Sequence, residues 1–178
     1  MSSLIISAIG PDRPGIVSEL TGIITNHGGN IEDSRMSRLG SDFGIIMLVS
    51  VDPKWQEALV VSIKALKELA ISTRGTNMSA STAIKQGENW KISLKGADNE
   101  GIVNVLSKYF AEKDINILDM ETHISNAPVT GTPLFNLITV ISKPEDLDVD
   151  GIQSDLNQIA HKLGVEIEVC FSESGVAL

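Results

Sequence analysis

The sequence predicts an α+β fold made of two tandem units, each running strand, helix, strand, strand, helix, strand. Three observations carry that prediction: an internal repeat, apolar spacing that alternates between strand and helix periods, and a compositional split between central and edge strands. The repeat comes first. Shifted by 86 residues, Ile6, Ser7, Gly10, Asp12, Gly15, Ile16, Val17, Leu20, Asn30, Ile31 and Asp33 fall on identical residues from Ile92 to Asp119. That is 11 identities in the 30 positions 4–33, without a gap. At a shift of 92, Phe43, Ile46 and Ser50 meet Phe135, Ile138 and Ser142. The extra residues fall within Ser125 to Pro133 and lengthen one loop of the second copy. A fixed-period repeat of this kind is two copies of one folding unit.

Each element follows from local pattern. Leu4–Ile9 is an apolar strand. A helix is expected from Pro14 to Asn26, with Ile16, Leu20, Ile23 and Ile24 on one face and Gly28-Gly29 ending it. Ile31–Leu39 and Phe43–Val51 read as a hairpin. Trp55, Leu59, Ile63 and Leu66 stripe a second helix, and Ile71–Asn77 closes the unit as a strand. The second copy repeats the order over Trp90–Lys95, Ile102–Glu112, Ile117–Ser125, Phe135–Ser142, Ile152–Leu163 and Val165–Phe171. The expected domains are 1–80 and 89–178, with a linker over 81–88 inside the Ser-, Ala- and Thr-rich stretch Ser79–Glu88.

Strand composition orders the sheet. Leu4–Ile9 and Phe43–Val51 are nearly all apolar and belong at its centre. Ile31–Leu39 and Ile71–Asn77 carry Glu32, Asp33, Arg35, Arg38 and Arg74, which suits edges. Central first and third strands with second and fourth at the edges make a ferredoxin-like βαββαβ unit. Both helices then cover one sheet face. The apolar far side of the central strands needs cover from a sister domain or another chain, which points to a homodimer, a tight internal pairing, or both.

Charge narrows the function. The net charge is -9, and residues 87–178, with fifteen acidic and six basic side chains, carry all of it. An acidic chain without an arginine cluster repels a phosphate backbone, so direct nucleic-acid binding is not expected. No apolar run is long enough to span a membrane, and the single cysteine, Cys170, suits the cytosol. The expected location is cytoplasmic. His27, His123 and His161 lack metal-ligand spacing, no catalytic set assembles, and Asp146, Asp148 and Asp150 read as a solvated acidic loop. The chain is expected not to be an enzyme and to need no cofactor or metal.

The loop Gly10-Pro11-Asp12-Arg13-Pro14-Gly15-Ile16-Val17 offers binding chemistry. Asp12 suits a helix cap or the ammonium of a ligand. Pro14 suits the first helical turn, and Gly15 permits close approach. Free N–H groups at the helix start suit a carboxylate. Asn30 carries both a donor and an acceptor, so it can read a polar ligand or stabilise a left-handed turn.

The Asp-Arg-Pro-Gly-Ile-Val loop, followed by Gly29-Asn30-Ile31, resembles the ACT domain. That resemblance implies small βαββαβ units that sense amino acids, with ligands at domain interfaces between the loop after the first strand and the segment leading into the second. Carried over by position, the candidate set is Asp12, Arg13, Pro14, Gly15, Ile16, Asn30 and Ile31, with Asp98, Gly101, Asn116 and Ile117 in the second copy. The second copy reads Asp98-Asn99-Glu100-Gly101 and so departs at Arg13 and Pro14. Asn30-Ile31-Glu32-Asp33-Ser34-Arg35-Met36, then Leu39-Gly40 and Phe43, is similar to the family of bacterial glycine cleavage system transcriptional repressors. This closer resemblance implies a regulator that senses a small amino acid, glycine above all, and acts through a DNA-binding activator protein. The alternative is an ACT-type regulatory subunit of an amino-acid biosynthetic enzyme.

Overall fold

The computed structural model describes residues 1–76, 89–97, 99–128, 130–142 and 148–172, with backbone alone for 171–172. The expected linker over 81–88 therefore lies outside the described residues, as do Asp98 and Asp146. The chain divides into two compact units, Met1–Ala83 and Ile84–Leu178.

The first unit runs β1 (Ser2–Pro11), α1 (Ile16–Asn26), β2 (Asn30–Leu39), β3 (Asp42–Val51), α2 (Pro53–Lys64) and β4 (Ala70–Thr76). Its strands form one antiparallel sheet ordered β2-β3-β1-β4. The second unit runs β5 (Asn89–Ala97), α3 (Ile102–Glu112), β6 (Ile117–Asn126), β7 (Pro133–Ser142), α4 (Val149–Leu163) and β8 (Val165–Ser172), ordered β6-β7-β5-β8. Both units are ferredoxin-like, and in the first sheet the apolar strands β1 and β3 occupy the centre as their composition predicts.

Each core lies between a sheet and its two helices. In the first unit Leu4, Ile6 and Ala8 of β1 and Ile45, Met47 and Val49 of β3 meet Leu20 and Ile24 of α1 and Leu59 and Ile63 of α2. In the second, Trp90, Ile92 and Leu94 meet Leu106 and Phe110 of α3 and Leu156 of α4. Burying side chains of this size contributes about 1.5–3 kcal/mol each. The alternate residues of β1 and β3 point away from the helices, and there Ile9 and Ile46 remain 57% and 50% exposed. The equivalent positions of β5 are Lys91, Ser93 and Lys95, paired in register with Cys170, Glu168 and Glu166. The two outer sheet faces thus differ: the first is apolar on both central strands, whereas the second sets the lysines of β5 beside Ile138 and Val140 of β7.

Two local expectations are corrected. α1 begins at Ile16 rather than Pro14, because Gly15 takes a left-handed conformation (φ 91°) and is itself the N-cap, with no side-chain cap bond. Asp12 therefore does not cap the helix. Trp55 is not part of the α2 stripe. It lies in the first turn, 49% exposed, with the Lys54 ammonium 6.0 Å from its ring centre. Among the described residues no helix is long and apolar enough to cross a membrane.

Candidate ligand-binding site

The loop between β1 and α1 is held from three sides. The Asp12 backbone N–H donates to Ser41 O at 2.9 Å, tying the loop to the turn between β2 and β3. Arg38 of β2 places a guanidinium nitrogen 3.9 Å from the Asp12 carboxylate. Arg13 donates through Nε to Glu68 at 2.8 Å and through its other nitrogen to Glu19 of α1 at 2.5 Å. These pairs raise the Arg13 pKa, with the Glu19 bond the largest cause. A depression of about 490 Å³ opens beside them, lined by Arg13, Glu19 and residues 65–69. Pro14 and Gly15 are exposed and Ile16 is buried in the core.

The second unit keeps the backbone and changes the side chains. Gly101 is again a left-handed N-cap (φ 85°) without a side-chain cap bond. Asn99 stands where the first copy has Arg13 and donates to Leu163 O at 3.0 Å. The first loop is thus tied by an ion pair to the connection that follows α2, and the second by a hydrogen bond to the last carbonyl of α4. A depression of about 620 Å³ adjoins Asn99, Gly101, Ile102, Asn104 and Phe135. Sequence reasoning gave no role to Asn99, Glu19 or Glu68; their bonds span 64, 6 and 55 residues and have no local signature.

The start of β2 forms a separate polar cluster. Asn30 is exposed, in extended backbone rather than a left-handed turn, and its side-chain amide donates to Glu32 Oε1 at 3.1 Å. The pairing skips between Ile31 and Asp33, so Glu32 is the extra residue of a bulge. The same Glu32 oxygen accepts from the buried Ser50 hydroxyl of β3. The Ser50 and Asn30 bonds hold the Glu32 carboxyl below the usual carboxylate range. At the start of β6 the bulge recurs between Ile117 and Asp119, and Leu118 occupies the extra position. There Asn116 uses its backbone carbonyl to accept from Ser142 N–H at 2.9 Å.

The candidate residues of one unit do not meet. Asn30 pairs with Ser50, which pairs with Ser3, whereas Leu39 pairs with Asp42, which pairs with Pro11. The strand from Ser3 to Pro11 separates the two levels, roughly 26 Å at about 3.3 Å per residue. Asp12, Arg13, Pro14 and Gly15 stand at one end of the sheet, and Asn30 and Ile31 at the other. Gly101 and the pair Asn116 and Ile117 are likewise at opposite ends of the second sheet. A single small molecule cannot touch both clusters of one unit. Among the described residues no group of His, Cys, Asp and Glu is placed to hold a metal.

Comparison with known proteins agrees with this architecture. The glycine cleavage system transcriptional repressor of Escherichia coli is 26% identical over 166 residues, covering 92% of this chain and 86% of that protein. A crystal structure of an unknown protein from Galdieria sulphuraria is 31% identical, with a TM-score of 0.81 over 97% of this chain and 99% of the other. A second crystal structure, attributed to a glycine cleavage system transcriptional repressor, is 20% identical with a TM-score of 0.72 over 97% and 98% of the two chains, and shares the fold. The ACT domain family matches twice, over residues 2–74 and 91–170, each within one βαββαβ unit. The chain belongs to the ACT domain family.

Proposed function

We propose that the chain is a non-catalytic, amino-acid-responsive transcriptional regulator of the cytoplasm. It binds a small amino acid, glycine first among them, and acts through a DNA-binding activator protein rather than on DNA itself. The observation that carries this reading is the likeness to the Escherichia coli repressor over 92% of the chain, most of which its two ACT domains account for. The net charge of -9 supports a protein partner over a nucleic acid.

The ligand reading has physical support at both ends of the first sheet. The start of α1 offers backbone N–H groups that no side chain caps, an environment suited to a carboxylate. The start of β2 offers Asn30 beside an ionised Glu32. These are complementary to the two charges of a zwitterion. Because they lie at opposite ends of one sheet, the functional assembly is a homodimer in which the loop of one protomer faces the β2 start of its partner.

A thermal-shift screen of the chain against the free amino acids tests the ligand, because binding to the native state raises its midpoint. A gel shift on the glycine cleavage promoter, with and without the activator, tests the mode of action. Binding by this chain alone, persistent in moderate salt, would overturn it. Capture of a biosynthetic enzyme rather than a transcription factor in a pull-down would favour a regulatory subunit.

A further inference from the structure

We infer that Glu32 reads the ammonium group of the amino acid, and that the chain carries one such position rather than two; this rests on the ligand reading above. Four observations lead to it. Glu32 is the extra residue of the β2 bulge, so its side chain is released from the alternation of the strand and lies over Ser50 and beside Asn30. Both of those donors go to one carboxylate oxygen, Oε1, and among the described residues no donor is assigned to Oε2. Glu32 forms no ion pair among the described residues. By contrast Asp12, the carboxylate among the first unit's candidate residues, faces the Arg38 guanidinium.

The chemistry follows. A cation approaching Asn30 meets an ionised carboxylate whose geometry two donors have already set and whose second oxygen can accept N–H bonds. An ammonium satisfies that oxygen, whereas a hydroxyl or a methyl leaves it without a charged partner. The site therefore selects α-amino acids over the corresponding hydroxy acids. In the second unit the bulge is kept and Leu118 fills the same place, giving an apolar side chain where the first unit has a charge. Leu118 thus cannot supply Asn116 with the carboxylate that Glu32 gives Asn30, and Arg13 is replaced by Asn99. The two repeats share a backbone and differ in what they can recognise.

Titration calorimetry on the full chain, with glycine and with glycolate as its hydroxy analogue, tests this. The expected result is one glycine per chain, bound at least about tenfold more tightly than glycolate. Glu32→Gln should reduce glycine affinity about tenfold or more and leave glycolate affinity unchanged. Glu32→Asp, which keeps the charge on a shorter stem, should retain part of the glycine preference, and it decides the matter if the glutamine variant does not fold. Undiminished glycine preference in either folded Gln variant or a Glu32→Ala variant would overturn the inference, as would two equal glycine sites per chain. A wild-type chain that binds glycine while Glu32→Gln binds it equally well defeats this inference alone. A wild-type chain that binds no amino acid defeats the ligand reading and this inference together.

Discussion

Arg13 Nε donates to Glu68 at 2.8 Å, fastening the loop before α1 to the connection between α2 and β4. The partners are 38% and 68% exposed, so the contact organises the loop more than it stabilises the fold. Arg13→Ala should leave the unfolding midpoint nearly unchanged while speeding amide exchange across Asp12–Gly15. High salt should produce part of the same effect in the wild type, since exposed pairs are screened.

Two glycines should respond oppositely to the same substitution. A Cβ on Gly10 would stand 2.5 Å from Glu68 O and 2.7 Å from Leu69 Cδ2. Gly10→Ala is expected to cost about 1–3 kcal/mol in urea unfolding through this overpacking. Gly22 lies inside α1 with nothing within 4 Å of such a Cβ. Gly22→Ala is expected to stabilise the first unit by about 0.5–1 kcal/mol.

Tyr109, the only tyrosine, provides an alkaline probe of the second unit. Its hydroxyl donates to Asp155 at 3.2 Å, and Lys113 pairs with the same carboxylate at 2.9 Å. Burial first, then the Asp155 charge, raises the phenol pKa above its ordinary value. A raised folded-state pKa contributes stability that is complete below the unfolded value and is lost as pH rises toward the folded one. Stability should therefore decline above about pH 10, and Tyr109→Phe should flatten that decline. Tyrosinate absorbance during alkaline unfolding checks it.

Asp52 supplies the acid counterpart. Its side chain caps α2 by accepting from Lys54 N–H at 3.0 Å, and that bond is the first cause of its lowered pKa. A depressed carboxylate contributes stability above its unfolded pKa that is lost as pH falls through the folded one. The urea midpoint should fall as pH drops below about 4, and Asp52→Asn should weaken that dependence.

Asn30→Ala should weaken amino-acid binding by about 1.5–3 kcal/mol, the range for a hydrogen bond to a charged group. Calorimetry reads the loss. Unchanged affinity would remove Asn30 from the site.

Much of the fold was legible because strand composition reflects burial. Arg35, Arg38 and Arg74 at the edges and the apolar runs of β1 and β3 at the centre report the sheet order directly. The start of α1 was less legible. Asp12 and Pro14 both have helix-start chemistry, but the left-handed turn at Gly15 takes the cap position and moves the helix past them. Trp55 has the right spacing from Leu59, yet in the first turn of α2 it remains exposed. The polar cluster at the β2 start depends on a bulge, and a bulge leaves the alternation of a short strand ambiguous. The clamp from Arg13 to Glu68 joins residues distant in sequence and has no local pattern to find.

The separation of the two clusters along a single sheet has a consequence for dose response. A ligand that must touch both can do so only by joining two polypeptide copies. Its occupancy then obeys mass action in protein as well as in amino acid. Dilution raises the half-saturating amino-acid concentration, and overproduction lowers it. In the proposed assembly, cellular copy number would thereby set the amino-acid threshold, with no change to any residue at the site.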